Sequence, residues 1–390
     1  MNDNTNDISP AVTLLRNARL MCPEDRGVGN VLLVHSRIHH VSSESFDPPT
    51  GMGPVEDIDL AGDYLIPGLI DGHVHFLGGG GEGGPATRTP EITLTALTGA
   101  GVTSAVGVLG TDGTTRTLPA LLTKARALEE EGITTRTYTG AYQLPTPTVT
   151  GSVRDDIMLI DRVVGAKVAV SDHRSSQPGV RDLRFLASEC RVGGMLGGKP
   201  GLMHVHVGPG ESGLEPLFRV IRESGIPPHH IYPTHVGRSR GLLEAAAEFT
   251  RLGSPVDVTA GEDAAERVFY LLEQDARPER VTITSDGNGS KPLFDEGGNF
   301  IGLGIGSPDT LLQTLRGLVE HGVDLEVALA FFTRNPARIL GLEGRGRIAA
   351  GAAADLVCLT RTDMEVRHVW ANGRQMVKDA RPIVFGTFER

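Results

Sequence analysis

The chain has 390 residues, with 48 acidic against 37 basic side chains and a formal net charge of −11. Hydrophobic residues make up 39% and charged residues 22%, which is ordinary for a globular protein. The acidic balance, without a basic cluster, argues against nucleic acid as a partner, and no apolar run approaches the ~20 residues that span a bilayer. The polar first ten residues and three scattered cysteines predict neither a secretory signal nor a disulfide framework, so we expect a cytoplasmic protein.

Both ends of the chain have a β-strand pattern. Short apolar segments separated by turn residues occur near each terminus, and Asn372-Gly373 indicates a hairpin turn. We therefore predict a small β-sandwich domain that is built from residues 1–63 and 346–390 together. The segments are 12–15, 31–34, 38–41, 355–359, 366–370 and 375–377.

The middle of the chain, residues 64–345, alternates strand and helix patterns. Eight strands are predicted, at 65–76, 102–109, 135–142, 166–171, 201–207, 231–236, 256–259 and 281–285. A helix or a helix-bearing loop follows each one, which is the count of an α/β fold of the (β/α)8 TIM-barrel type. A doubly wound open sheet is the alternative. The barrel further predicts that polar residues at the C-terminal ends of the strands converge on one site.

The first of these strands ends in His73 and His75, an HxH pair. Residues i and i+2 of a strand point to the same face, so the two imidazoles leave the strand side by side. Neutral imidazole is a good ligand for zinc-like metals, and two imidazolium ions would repel. The pair alone is weak evidence for a metal, because half-buried histidines at a strand end have the same pattern.

Other strands carry matching side chains: Lys167 on strand four, His204 and His206 on strand five, His235 on strand six and Asp286 after strand eight. Lysine in an apolar strand is costly when charged, and its neutral amine adds CO2 to form an anionic carbamate that is able to bridge two cations. We favour His206 over His204 as the ligand because it lies nearer the strand end. His204 is expected in the barrel interior or behind the ligands.

These motifs resemble a known group of enzymes. The stretch from Pro67 to His75, followed by Lys, His, His and Asp, resembles the amidohydrolase superfamily, as does Gly346–Val357. A closer resemblance, to the isoaspartyl (β-aspartyl) dipeptidase family, covers nearly the whole chain. It is carried by the segments 78–82, 87–91, 139–142, 171–175 and 285–290.

The resemblance implies a site with two Zn2+ ions. His73 and His75 would bind one metal together with Asp286, His206 and His235 would bind the other, and Lys167, N6-carboxylated, would bridge them. The substrate-binding positions that it implies are Gly80, Gly81, Glu82, Thr111, Tyr142, Arg174, Arg238 and Ser290. Thr111 has the weakest match, because only the short stretch 110–113 supports it.

The implied reaction is hydrolysis of the isopeptide bond of β-aspartyl dipeptides by a metal-bridging hydroxide. The catalytic residues would be Asp286 as general base and acid, Tyr142 as donor to the oxyanion, and Glu82. Glu82 suits the substrate ammonium, and Arg174 and Arg238 suit its carboxylates, with the pairing left open.

Two other functions remain open. A cyclic-amide hydrolase of the dihydroorotase or hydantoinase type would share the metals without needing the clamp of Glu82, Arg174 and Arg238. A non-catalytic scaffold should lack several ligands, whereas this chain has them all. The expected partner is a small dipeptide rather than nucleic acid or membrane, and the resemblance implies a homo-oligomer, with an octamer as one form.

Overall fold

The structure is a computed structural model, and it describes residues 11–48, 51, 53–294 and 300–389. The expectation of no secretory signal concerns residues 1–10, which lie outside the described residues. The N-terminal part forms five strands: β1 (Val12–Met21), β2 (Asp25–Val34), β3 (Arg37–Ser42), β4 (Val55–Asp59) and β5 (Tyr64–Pro67).

The central part alternates strands and helices as predicted. Its elements in chain order are β6 (Leu69–Val74), α1 (Leu94–Gly99), β7 (Val102–Gly107), α2 (Leu118–Glu131), β8 (Thr134–Gly140), α3 (Val153–Leu159), β9 (Val163–Val170), α4 (Val180–Gly197), β10 (Leu202–Val207), α5 (Glu215–Arg222), β11 (Ile231–Thr234), α6 (Arg240–Arg251), β12 (Val256–Thr259), α7 (Ala264–Glu273), β13 (Val281–Thr284), β14 (Ser290–Phe294), β15 (Phe300–Ile305), α8 (Thr310–Glu320), α9 (Leu325–Phe332) and α10 (Arg334–Ile339).

The two ends of the chain share one sheet. The last strands are β16 (Leu356–Leu359), β17 (Val366–Ala371), β18 (Arg374–Lys378) and β19 (Arg381–Pro382). They continue a nine-stranded sheet in the order β19-β18-β17-β16-β5-β1-β2-β3, with β4 paired to β1. Asn372 and Gly373 both have positive φ in the turn between β17 and β18, as the hairpin signal predicts.

The central strands form a curled parallel sheet. Six strands run in the order β11-β10-β9-β8-β7-β6, and β12 and β13 form a second parallel pair. The end of β6 meets the segment after β13 through a parallel bridge between Val74 and Gly287, where the His75 N–H donates to the Gly287 carbonyl at 2.8 Å. The fold is therefore α/β, and the C-terminal ends of its parallel strands lie together.

The prediction of a single strand at residues 65–76 is wrong, because this segment forms two strands, β5 and β6. The break falls at Gly68, whose N–H donates to the Asp355 carbonyl at 2.8 Å. A Cβ at Gly68 would overlap the side chain of Thr103, so β5 and β6 can diverge there only with glycine between them. As a result β5, which lies within the range predicted for the barrel (64–345), pairs instead with β1 and β16 in the sheet formed by the two ends of the chain.

The helices pack against the sheet through apolar faces. In α2, Leu121, Ala125 and Leu128 are fully buried at a spacing of three to four residues, which matches the helical period. The Thr117 hydroxyl accepts from the Ala120 N–H and caps the start of this helix. None of the described helices is long and apolar enough to cross a membrane.

Candidate metal centre and catalytic pocket

Three of the predicted metal ligands meet at the C-terminal edge of the curled sheet. His73 and His75 come from the end of β6, and Asp286 follows β13. Each offers one ligand atom, and these atoms all lie within 4.8 Å of one another. The Oδ1 atom of Asp286 is 3.1 Å from Nε2 of His75 and 3.4 Å from Nε2 of His73.

The Asp286 carboxylate has an oxygen that fits a cation. Oδ1 is buried and receives no hydrogen bond from the described residues, because its short approach to His75 is not aligned as one. A buried acceptor left without a donor costs about 1–3 kcal/mol. A cation shared by this oxygen and the two histidine nitrogens would remove that cost, so the donor set suits a metal.

Lys167 is completely buried on β9, with Nζ 2.7 Å from Nε2 of His73. Burial lowers the pKa of this lysine to about 7, against the pull of the nearby Asp286 charge. A large fraction of the side chain is therefore a free amine near neutral pH. That form is both a nucleophile and the precursor that a carbamate requires.

His206 and His235 form a second pair beside the first, with ring centroids 4.6 Å apart. The ring of His235 is also 5.1 Å from that of His73. His206 is held at both nitrogens: Nδ1 is 2.7 Å from the Tyr142 hydroxyl, and Nε2 is 2.8 Å from Oδ2 of Asp172. In His235, Nδ1 is 2.6 Å from the Thr259 hydroxyl.

Electrostatics keep these four histidines neutral. Burial lowers the pKa of His73, His75, His206 and His235, and that of His206 falls to about 3. Burial alone would raise the pKa of Asp286, but contact with His75 and nearby positive charges lower it below its usual value. The pocket thus offers imidazole lone pairs and an ionised carboxylate, which are the ligand forms that a divalent metal needs.

The glycine-rich loop after β6 carries Glu82 toward Ser290, which lines a cavity together with Asp286. Gly80 and Gly81 have φ values of 73° and 99°, and the loop doubles back so that Gly80 bridges to Arg88. A Cβ at Gly80 would overlap the Thr87 carbonyl, so only glycine fits there.

Three predicted substrate-binding side chains meet at the carboxylate of a fourth, Glu82. Oε1 accepts from the Thr111 hydroxyl and from Nη1 of Arg174, each at 3.0 Å, and Oε2 accepts from the Ser290 hydroxyl at 3.3 Å. The structure thus brings Thr111, the least certain of the predicted positions, into direct contact with Glu82.

Two arginines complete the pocket. Arg174 makes a bidentate pair with Asp172, with Nε to Oδ1 at 2.9 Å and Nη2 to Oδ2 at 2.7 Å, and lies over the Tyr142 ring. Arg238 donates from Nε to the Val207 carbonyl at 2.9 Å. It lines a cavity of about 600 Å3 together with His235, Asp286 and Ser290. That volume suits a small ligand.

Three residues with contacts to the site have no role in the sequence-based prediction. Asp172 links His206 to Arg174, and Thr259 holds His235. Asp71 is fully buried and accepts from the backbone N–H groups of His73 and Ser285. A signal existed for Asp71 and Asp172, since each stands two residues before a predicted site residue, but their other partners, Ser285 and His206, are distant in sequence.

Comparison with solved structures shows likeness over nearly the whole chain. The structure matches a β-aspartyl dipeptidase from Fervidobacterium islandicum AW-1, in complex with the β-Asp-Leu dipeptide, with a TM-score of 0.88 and 41% identity over 95% of this chain and 98% of that chain. A second structure from the same organism gives 0.87 and 39%. In addition, a family model described as "Amidohydrolase family" matches residues 256–377.

Curated relatives are more distant. An adenine deaminase from a Jannaschia species is 23% identical over 95% of this chain, and the chain spans 58% of its length. An allantoinase from Deinococcus radiodurans is 25% identical over 88% of this chain and 85% of its own length.

Proposed function

The chain belongs to the isoaspartyl (β-aspartyl) dipeptidase family of the amidohydrolase superfamily and is a hydrolase that acts on dipeptides. From this premise we propose that it is a binuclear-zinc enzyme that cleaves the isopeptide bond of β-aspartyl dipeptides. One observation carries the proposal. The Glu82 carboxylate contacts Thr111, Arg174 and Ser290, and Ser290 lines the same cavity as Asp286, which meets His73 and His75.

The proposed architecture is a closed (β/α)8 barrel, residues 64–345, with a small β-sandwich domain from residues 1–63 and 346–390. The Val74–Gly287 bridge supports closure, because it joins the last parallel pair to the first strand. The nine-stranded sheet supports the composite domain, since strands from both ends of the chain pair in it.

The proposed metal ligands are His73, His75 and Asp286 for one zinc ion and His206 and His235 for the other, with carboxylated Lys167 between them. Neutral imidazoles, an ionised aspartate and a free amine near neutral pH support this set. When bound, two such cations lower the pKa of a water molecule toward neutrality and polarise the scissile carbonyl.

The chain's own groups supply the proton transfers. Asp286 has an ionised carboxylate in the pocket, so it is suited to take a proton from the attacking water and pass it to the leaving amine. Burial raises the pKa of Tyr142 far above neutrality, which keeps its hydroxyl protonated. Tyr142 is therefore suited to donate a hydrogen bond to the developing oxyanion.

Recognition would use opposite charges on one short substrate. Glu82 would bind the α-ammonium group, and Arg174 and Arg238 would bind the two carboxylates. The 3.0 Å pair between Arg174 and Glu82 supports this assignment, because a dipeptide with adjacent ammonium and carboxylate groups could replace each partner with its own charge. Gly80 and Gly81 would bring backbone close to the same end of the substrate.

The test is zinc analysis alongside a substrate panel of β-Asp-Leu, α-Asp-Leu and dihydroorotate. We expect two zinc ions per chain and hydrolysis of β-Asp-Leu alone. Hydrolysis of dihydroorotate but not of β-Asp-Leu would instead support a cyclic-amide hydrolase. The likeness to an allantoinase is the observation that favours testing this alternative. No turnover of any substrate by a zinc-loaded enzyme would support a non-catalytic scaffold.

The remaining proposals concern the cellular location and the oligomeric state of the enzyme. All three cysteines are free and buried, which suits a reducing cytoplasm. Phe185, Met195 and Leu196 expose more than half of their surface along α4, and a second copy in a homo-oligomer would cover them. Light scattering on the purified protein tests the second proposal, which a monomer would contradict.

A further inference from the structure

His204 lies directly behind the metal centre and has no part in the proposed ligand set. Its side chain is fully buried on β10, where the Tyr138 ring stacks on it at 4.7 Å. The two ring nitrogens have different partners: Nδ1 is 3.1 Å from the Tyr232 carbonyl oxygen, and Nε2 is 2.9 Å from Nδ1 of His73.

These contacts allow only one placement of the protons. A carbonyl oxygen only accepts, so His204 must carry its proton on Nδ1 and donate it to Tyr232. A neutral imidazole has a single N–H, so Nε2 of His204 is an acceptor and His73 must donate from Nδ1. His73 is then left with its lone pair on Nε2.

That lone pair faces the proposed metals. Nε2 of His73 is 2.7 Å from Lys167 Nζ and 3.4 Å from Asp286 Oδ1. The distances support this placement, because two ring nitrogens 2.9 Å apart hold one proton between them, and Nζ of Lys167 carries hydrogens that it can donate to the lone pair on Nε2 of His73.

Building on the proposed function, we infer that His204 is a positioning residue that fixes the tautomer of His73 and so presents Nε2 of His73 to the metal centre. The Tyr232 carbonyl sets the tautomer of His204, and His204 in turn sets the tautomer of His73. Metal-bound histidines commonly donate their second nitrogen to a carboxylate or a carbonyl, which orients the ring and raises its affinity for the metal.

The surroundings explain why a histidine serves here. His206 has Asp172 at its second nitrogen, and that carboxylate is half of an ion pair with Arg174 at the pocket mouth. The space behind His73 is lined by the rings of Tyr138 and Tyr232 instead. An unpaired carboxylate there would be costly, whereas a neutral imidazole provides an acceptor without a charge.

The test compares His204→Leu with His204→Gln in the full-length zinc enzyme. Leucine has no acceptor for His73, so we expect zinc affinity to fall about 10- to 100-fold, the usual loss on removing such a partner. Glutamine offers an amide oxygen to His73 and an amide N–H to Tyr232, so its affinity should stay close to that of wild type. Zinc affinity is measured by competition with a chromophoric chelator, independently of turnover.

A matched control is His230→Leu. His230 is also a buried histidine whose Nδ1 contacts backbone carbonyls, those of Pro200 and Gly201, but it precedes β11 at the opposite end of the strands. Its loss should leave zinc affinity unchanged. Excess zinc should restore kcat in His204→Leu, with KM for β-Asp-Leu unaltered, because His204 touches no substrate group.

Wild-type zinc affinity in a folded His204→Leu variant would overturn the inference. If that variant does not fold, long-range 1H–15N spectra of the zinc-loaded wild type decide instead. The inference requires the His73 proton on Nδ1, and a proton on Nε2 would overturn it. Failure of wild type itself to bind zinc is a separate result that would count against the proposed function.

Discussion

At the scale of single residues, Glu82 separates dipeptide recognition from metal binding. Its carboxylate contacts Thr111, Arg174 and Ser290 but none of the proposed ligands. Glu82→Gln keeps the shape and removes the charge that would bind the substrate ammonium. Hydrogen bonds to charged groups contribute about 1.5–3 kcal/mol, so we expect kcat/KM for β-Asp-Leu to fall about 10- to 100-fold.

Zinc content should be unchanged in Glu82→Gln, as measured by metal analysis of the same preparation. Glu91→Gln is the matched control, because Glu91 is exposed and, within the part of the chain that the structure describes, forms its ion pair with Lys124 at 3.3 Å. Comparable activity of Glu82→Gln and Glu91→Gln would remove the ammonium-binding role from Glu82.

Lys167 tests the bridging group. Lys167→Ala removes the only amine within reach of His73 among the described residues. Loss of a residue that only supports a metal ligand lowers metal affinity about 10- to 100-fold, and we expect the loss of Lys167, a proposed ligand, to lower zinc affinity by more. Only a free amine adds CO2. Because the pKa of Lys167 is about 7, reconstitution with zinc and bicarbonate should be faster at about pH 8 than at about pH 6.

The measurement is recovery of β-Asp-Leu hydrolysis over time after zinc addition, with and without bicarbonate. Lys124→Ala, a change at a half-buried lysine of α2 that pairs with Glu91, serves as control and should match wild type. Full zinc content and activity in Lys167→Ala, or recovery that ignores bicarbonate and pH, would contradict the carbamate bridge.

At the scale of elements, Gly165 sets the spacing between two strands of the site. It lies on β9, two residues before Lys167, and a Cβ there would overlap the Leu202 carbonyl on β10. We expect Gly165→Ala to push β9 from β10 and lower the free energy of unfolding by about 1–3 kcal/mol, as overpacking does. Zinc affinity should fall as well, because Lys167 and His206 lie on these two strands.

Denaturant unfolding and zinc competition measure the two effects. Gly99→Ala is the control, since a Cβ at Gly99, in the last turn of α1, meets nothing within 4 Å. That change should be neutral or slightly stabilising. Equal stability of the two variants would show that the close approach of β9 and β10 does not depend on the absence of a Cβ at Gly165.

The strands of the site could be predicted because their pattern is local. The strands predicted at 102–109, 166–171 and 201–207 contain or directly precede polar residues of the site, and parallel strands bring their C-terminal ends to one edge. The HxH pair at His73 and His75 could be placed on one face for the same reason, since side chains alternate along a strand.

Other features depend on contacts between distant residues and leave no local signal. The break at Gly68 follows from Thr103, which lies more than thirty positions along the chain. The role inferred for His204 depends on the Tyr232 carbonyl, and which nitrogen faces which partner is fixed only by packing. Sequence spacing placed His204 and His206 on one strand face and could not assign their partners.

At the scale of the whole molecule, buried histidines should govern stability at acid pH. Eight histidines have a pKa lowered by burial, and five of them lie in or directly behind the candidate metal centre, namely His73, His75, His204, His206 and His235. Below about pH 6.5 the unfolded chain takes up protons that the folded chain does not, so stability is lost as pH falls. Asp71 and Asp257 act in the opposite sense, because burial raises the pKa of each to about 7.

The five histidines at the metal centre outweigh the two aspartates, so these seven groups together should cost the metal-free chain up to about 4 kcal/mol of unfolding free energy for each pH unit between about 6.5 and 5. Denaturant unfolding at a series of pH values measures this slope. His204→Gln should reduce it by about 1.4 kcal/mol per unit, Asp71→Asn should steepen it, and His39→Ala, at an exposed position on β3, should leave it unchanged. A flat profile, or one that rises toward acid pH, would mean that the buried imidazoles do not dominate, because the unfolded chain then binds no net excess of protons.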